Sequence, residues 1–323
     1  AEETEKTGYG DCKALTTLLI SRLRNSGLEA YPCLLSTKSS GPIDTAFPAL
    51  QFNHVITMAF VNGDTLWMDP TCQNCPMNDI PMSDENSAVL IVDSGGGYLG
   101  HTPASTAEEN MVIQTTDLHL NRDLTLAFDT EMKITGNDAI YMRGRIPSLS
   151  SEEVISYIHQ RFPGADQKFK IESYEIVNLD DLYQPLIIKF HAQCHKKVDK
   201  LRGNIYVSPF MLCGLRGFEK EELDDRTAPL DFYYPETMID RYSLRWDSSL
   251  GINEVIPPAA DSLTASFGDI SLQIEISNSC ITLELTKRYF NYRLDPESFD
   301  EFELFRDRMK EINGRYVKLS AGG

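Results

Sequence analysis

Three side chains that together can break an amide stand in a usable order near the start of the chain: Cys12, His54 and Asp69. A thiol attacks as its thiolate, an imidazole takes and returns the proton, and a carboxylate fixes the imidazole tautomer. Cys12 lies in Gly10-Asp11-Cys12-Lys13, at the mouth of a stretch where Ala14, Leu15, Leu18, Leu19 and Leu23 recur at three- and four-residue steps. That spacing predicts a helix over 11–25 with Asp11 as its N-cap and Gly27 as its stop. The positive end of a helix and its unpaired amides favour a thiolate. Position alone leaves an equal second reading, a small buried hydrophobic thiol.

The elements that must position the other two residues follow. Leu28 to Thr37 reads as a strand, with Pro32 placing it at an edge or giving it an irregular start. Ser39 to Pro48 reads as a loop. Phe52 to Val61 and Thr65 to Asp69 are strands joined at Asn62-Gly63, a strong hairpin signal. With a two- or four-residue loop, even positions of the first strand oppose odd positions of the second. His54, Ile56 and Met58 then share a face with Trp67 and Asp69, and Asp69 comes within diagonal reach of His54. A carboxylate before Pro70 that merely closes a turn is the alternative.

Taken together, Tyr9-Gly10-Asp11-Cys12-Lys13, Leu28-Glu29-Ala30, Asn53-His54-Val55 and Leu66-Trp67-Met68-Asp69-Pro70-Thr71 resemble the transglutaminase-like superfamily, in particular its bacterial multidomain members. The resemblance spans roughly the first hundred residues. It implies a papain-like core with Cys12 as nucleophile, His54 as base and Asp69 as orienter, working through a thioester acyl-enzyme. Tyr9, Asn53 and Trp67 stand in the same motifs and are expected on the substrate or oxyanion side. Such cores carry helices before the cysteine helix, and only eleven residues precede Cys12. The resemblance therefore implies an N-terminally incomplete core, inactive by itself, completed by an upstream domain of a longer parent chain or by a neighbouring subunit.

Other chemistry-bearing residues read more plainly. Cys72 and Cys75 form a CxxC with no second pair, so a local disulfide or two free thiols is favoured over a zinc site. Gly95-Gly96-Gly97 lacks a following helix and lysine and reads as a turn. His191 and His195 would share a strand face and read as surface histidines. Phe232-Tyr233-Tyr234 and Tyr289-Phe290-Asn291-Tyr292 read as packing clusters.

Composition narrows the classes. With 30 Lys+Arg against 48 Asp+Glu, the net charge is -18, which disfavours a nucleic-acid partner. No apolar run is long enough to span a membrane. Seven cysteines in 323 residues do not make a disulfide scaffold. The fold class expected is α+β: a core over 1–108, then a β-rich, sandwich-like region over 109–323 with helices at 151–162 and 296–312, and an optional division near 230. The leading function is a thiol-dependent acyl transferase or amidohydrolase on peptide or protein amides, with no cofactor or metal. The alternatives are a binding or scaffold protein retaining the fold and a metal module at Cys72 and Cys75. The family resemblance favours an extracytoplasmic, periplasmic or secreted bacterial setting.

Overall fold

The helix at the first motif forms as the sequence dictates. Asp11 adopts an extended backbone and its carboxylate accepts the Ala14 amide at 2.9 Å, capping α2 (Cys12–Asn25). A short helix, α1 (Glu2–Thr7), precedes it and is tied to it by an Arg22–Glu5 ion pair of 3.0 Å. Gly10 permits this entry. A Cβ there would come within 2.8 Å of the Ala14 Cβ and 2.9 Å of the Thr4 Cγ2. The structure is a computed structural model and describes residues 2–160, 169–194, 198–212, 226–277 and 279–321. It divides into two compact units, residues 1–105 with 140–144, and residues 106–139 with 145–323.

The first unit is built on β1 (Glu29–Leu35), β2 (His54–Val61), β3 (Asp64–Met68), β4 (Ala88–Ile91) and β5 (Tyr98–His101), an antiparallel sheet of order β3-β2-β1-β4-β5. Asn62 and Gly63 both take positive φ, 55° and 93°, and close a two-residue hairpin pairing Val61 with Asp64 and Met58 with Trp67. The sheet has two distinct faces. On one, Ile20 of α2 packs on Ala30 and Ala59, with Leu23 and Met68 against them. On the other, Cys33, Leu35, Ile56, Met58, Trp67, Ile80, Val89 and Ile91 form a continuous apolar core.

Pro32, expected at an edge, sits in β1 at the centre of the sheet. Its carbonyl accepts the Val92 amide at 2.9 Å, one residue beyond β4, so its missing N–H falls at the end of a ladder. The leucines of α2 are half-buried, and its fully buried side chains are Thr16 and Ile20.

The second unit is a mixed α+β assembly dominated by strands. Its first part comprises β6 (Met111–Leu120), β7 (Leu126–Ile134), the two ends of α3 (Gly136–Arg145, of which 140–144 fall in the first unit), α4 (Ser151–Gln160), β8 (Phe169–Val177), β9 (Leu186–Cys194), β10 (Val198–Leu201), β11 (Asn204–Val207) and β12 (Leu230–Asp231). Its remainder comprises β13 (Glu236–Trp246), β14 (Ile252–Ile256), β15 (Asp261–Ala265), β16 (Gly268–Ser277), β17 (Cys280–Tyr289), β18 (Arg293–Leu294), α5 (Phe299–Asn313) and β19 (Val317–Ala321).

An eight-stranded sheet of order β15-β16-β17-β13-β6-β7-β9-β8 draws strands from both sides of residue 230. β6 and β13 pair in parallel and the rest antiparallel. A four-stranded sheet runs β10-β11-β19-β14. α5 buries Phe302 and Phe305 in an aromatic cluster with Phe232, Phe267 and Tyr289. The two aromatic runs thus supply core, although Tyr233 and Phe290 stay exposed.

Candidate active site

The site belongs to the first unit. His54 opens β2, the two-residue hairpin sets Asp69 just past the end of β3, and the ring meets the carboxylate at 3.3 Å, Nε2 to Oδ2. Asp69 is buried and held from its own turn: the Thr71 amide donates to Oδ1 at 2.8 Å, and the Thr71 hydroxyl bonds both oxygens at 2.7 and 2.8 Å. The Cys72 amide donates to the Asp69 carbonyl at 3.0 Å, and Cys72 is disulfide-bonded to Cys75. The CxxC therefore forms the disulfide, one of its two open readings, and braces the turn that carries the carboxylate.

A second carboxylate, unmarked by any motif, reaches the same ring atom. Asp84 Oδ2 lies 3.5 Å from His54 Nε2, and Asp84 is 1% exposed. The hydrogen-bonding contacts of Asp69, then of Asp84, with the negative charge of both, outweigh burial and push His54 up to about 11. Burial pushes the Asp69 carboxyl upward, but the His54 ring and Thr71 offset this and hold it below the ordinary carboxylate range. His54, Asp69 and Asp84 each offer a ligand atom, all within 4.8 Å of one another. The trio could hold a divalent cation, but only with Nε2 stripped of its proton.

Cys12 is placed through α2. The Thr16 hydroxyl donates to the Val55 carbonyl at 3.0 Å, and Ile20 packs on Ala59, so α2 and β2 run in the same direction along one face. Cys12 stands one turn before Thr16 on the same helical stripe, at the end of α2 nearest the start of β2. Its thiol is half-buried. Alternation puts His54 with Ile56 and Met58, on the face away from Ala59.

Tyr9, Asn53 and Trp67 fare differently. Tyr9 is 83% exposed, three residues before Cys12. Both Asn53 amide donors are engaged, to Thr37 Oγ1 at 2.9 Å and Ser40 Oγ at 2.8 Å, and its Oδ1 accepts the Thr37 amide. Asn53 thus ties down the turn beside His54. Trp67 is 9% exposed, within the apolar core rather than on an opening. In the second unit, His191 has the carboxylate neighbours that the linear sequence hides: Asp129 at 2.9 Å and Glu172 at 3.6 Å, on the adjacent strands. His195 lies outside the described residues.

No protein-family model matches this sequence, and neither does any curated protein. A solved structure from Parabacteroides distasonis ATCC 8503, named a "putative protease", matches 99% of this chain at 10% identity with a TM-score of 0.53. The chain spans 45% of that protein's length. At this identity, what the two share is a fold.

Proposed function

We propose that the first unit is the catalytic core of a transglutaminase-like, papain-like thiol enzyme that transfers or hydrolyses acyl groups of peptide or protein amides. The observation that carries the reading is His54, gripped at Nε2 by carboxylates at the very start of β2, with the mouth of the Cys12 helix at that same end. The P. distasonis structure, whose name is that of a protease, supports it at the level of fold.

The chemistry runs between the two ends of one ring. Nε2 is committed to the carboxylates, so Nδ1 is the nitrogen left for the thiol. With the ring already protonated, Cys12 enters as the thiolate beside it, its own proton given up beforehand, and the sulfur adds to the amide carbonyl to give a tetrahedral oxyanion. Collapse breaks the C–N bond, and the imidazolium returns its proton to the departing amine, leaving a thioester on Cys12. Water or a second amine, deprotonated by the neutral ring, then attacks the thioester and frees the thiol.

Because α2 lies against the Ala59 face, Cys12 must approach the ring around the first residue of β2 rather than across the sheet. The backbone amide of Cys12 supplies one oxyanion donor at the helix mouth. The reading places this core over residues 1–108. The Cys72–Cys75 disulfide favours an oxidising, extracytoplasmic setting.

The decisive test is modification by a thiol-directed amide analogue. Cys12 should label first among the cysteines, and His54→Ala should slow that labelling by at least about tenfold. Labelling of Cys12 no faster than of half-buried Cys280 would favour the second reading, a binding module that keeps the fold.

A further inference from the structure

We propose that Asp84 is a second positioning carboxylate, which with Asp69 clamps the His54 ring as a cation and fixes the direction in which it presents Nδ1. The proposal rests on the reading of His54 as the proton carrier, and goes beyond it by assigning a residue that the motifs pass over.

The turn before β4 is built to deliver this carboxylate. The Asp84 amide donates to the Pro81 carbonyl at 2.9 Å, and its carbonyl accepts the Thr102 hydroxyl at 2.6 Å. The Lys38 amide holds the adjacent Ser83 carbonyl at 2.9 Å. One side-chain oxygen is used locally, Oδ1 accepting the Ser83 hydroxyl at 2.8 Å. The other, Oδ2, is buried, and what it faces is the His54 ring, Nε2 at 3.5 Å.

A buried carboxylate is strongly destabilising unless a positive group answers it. Fixing a tautomer needs one carboxylate, and Asp69 already supplies it. Two carboxylates against one nitrogen are two negative charges, and a neutral ring offers them one shared N–H and no charge. A protonated ring answers both. β1 sets apolar Leu35 opposite His54, α2 brings Cys12 to that end of β2, β3 leads to Asp69, and the turn before β4 brings Asp84.

The experiment is nitrogen NMR of the histidine ring in the full chain, followed from pH 5 to pH 11. His54 should carry protons on both nitrogens well above neutrality. Asp84→Asn should lower its midpoint by about one pH unit or more, a tenfold or greater loss of proton affinity, and Asp84→Glu should recover most of it. An unmoved midpoint in Asp84→Asn overturns the proposal. So does a bare Nε2 at neutral pH whose signal shifts on adding zinc chloride alone, which would make the trio a metal site. If Asp84→Asn does not fold, Asp69→Asn decides: Asp84 alone must keep the midpoint above that of an ordinary histidine, and an ordinary value overturns it. The readout needs no turnover. An inert protein with a clamped ring removes the catalytic reading alone, and an active one with an unmoved midpoint removes this proposal alone.

Discussion

His54 and Asp84 meet at 3.5 Å although neither the hairpin nor any motif links them: one opens β2, the other closes a turn leading into β4. The pairing has a consequence for stability. The folded ring binds its proton up to about 11, whereas a free histidine releases it near 6.5. Its contribution is therefore complete below about pH 6.5 and is lost as pH rises through about 11. Urea unfolding at pH 6, 8 and 10 should show a progressive loss on the order of a few kcal/mol. The loss should be largely absent in His54→Gln.

The thiol chemistry predicts a separable loss. Cys12→Ala should abolish thioester formation in the full-length protein while shifting the melting temperature by only a few degrees, since a half-buried thiol at a helix mouth carries little packing. Cys33 is the internal control. Burial pushes its thiol up to about 12, so it should stay unlabelled under conditions where Cys12 reacts.

The seating of α2 on β2 predicts a coupled effect. The Thr16 hydroxyl is buried and donates to the Val55 carbonyl, next to His54. Thr16→Val keeps the volume and removes that bond, leaving the carbonyl without its donor. It should destabilise by about 1–2 kcal/mol and slow Cys12 labelling, whereas Thr17→Val, on the exposed side, should do neither. Equal labelling rates in the two variants would show that this contact does not set the position of Cys12.

How much of this was readable depends on range. Asp11 capping α2 and Asn62-Gly63 closing the hairpin are local chemistry, and the sequence reading predicts both. The diagonal approach of Asp69 to His54 follows from hairpin parity alone. Asp84 does not, because its approach depends on a turn fixed by Lys38 and Thr102, far away in the chain. β13 was hidden for a related reason. Asp240 and Arg241 break its apolar pattern, and their partners, Lys287 at 2.8 Å and Glu284 at 2.6 Å, come from the neighbouring strand. The half-buried leucines of α2 show the limit of periodicity, which finds a stripe but not what covers it.

Gly10 offers a test of the helix entry. An added Cβ would meet Ala14 and Thr4 at distances that side chains do not tolerate, and both neighbours are short, with no flexible end to swing away. Gly10→Ala should destabilise by about 1–3 kcal/mol and displace α1 from the mouth of α2. Because the clash falls just before Cys12, labelling of the thiol should change more than the unfolding midpoint of the second unit.

The last prediction concerns the disulfide. Cys72 and Cys75 close a short loop directly after the turn that orients Asp69, and the Cys72 amide bonds the Asp69 carbonyl. A loop this short gives up little chain entropy, so Cys72→Ser with Cys75→Ser should lower stability by at most about 2 kcal/mol. The effect on the site should be larger in proportion. With the turn loosened, Asp69 is held by Thr71 alone, and the ring loses part of its grip at Nε2. The His54 midpoint should fall in the double variant and in the reduced wild type alike, and return when the wild type is reoxidised. An unchanged midpoint with the expected small stability loss would show that the disulfide braces the fold without tuning the site.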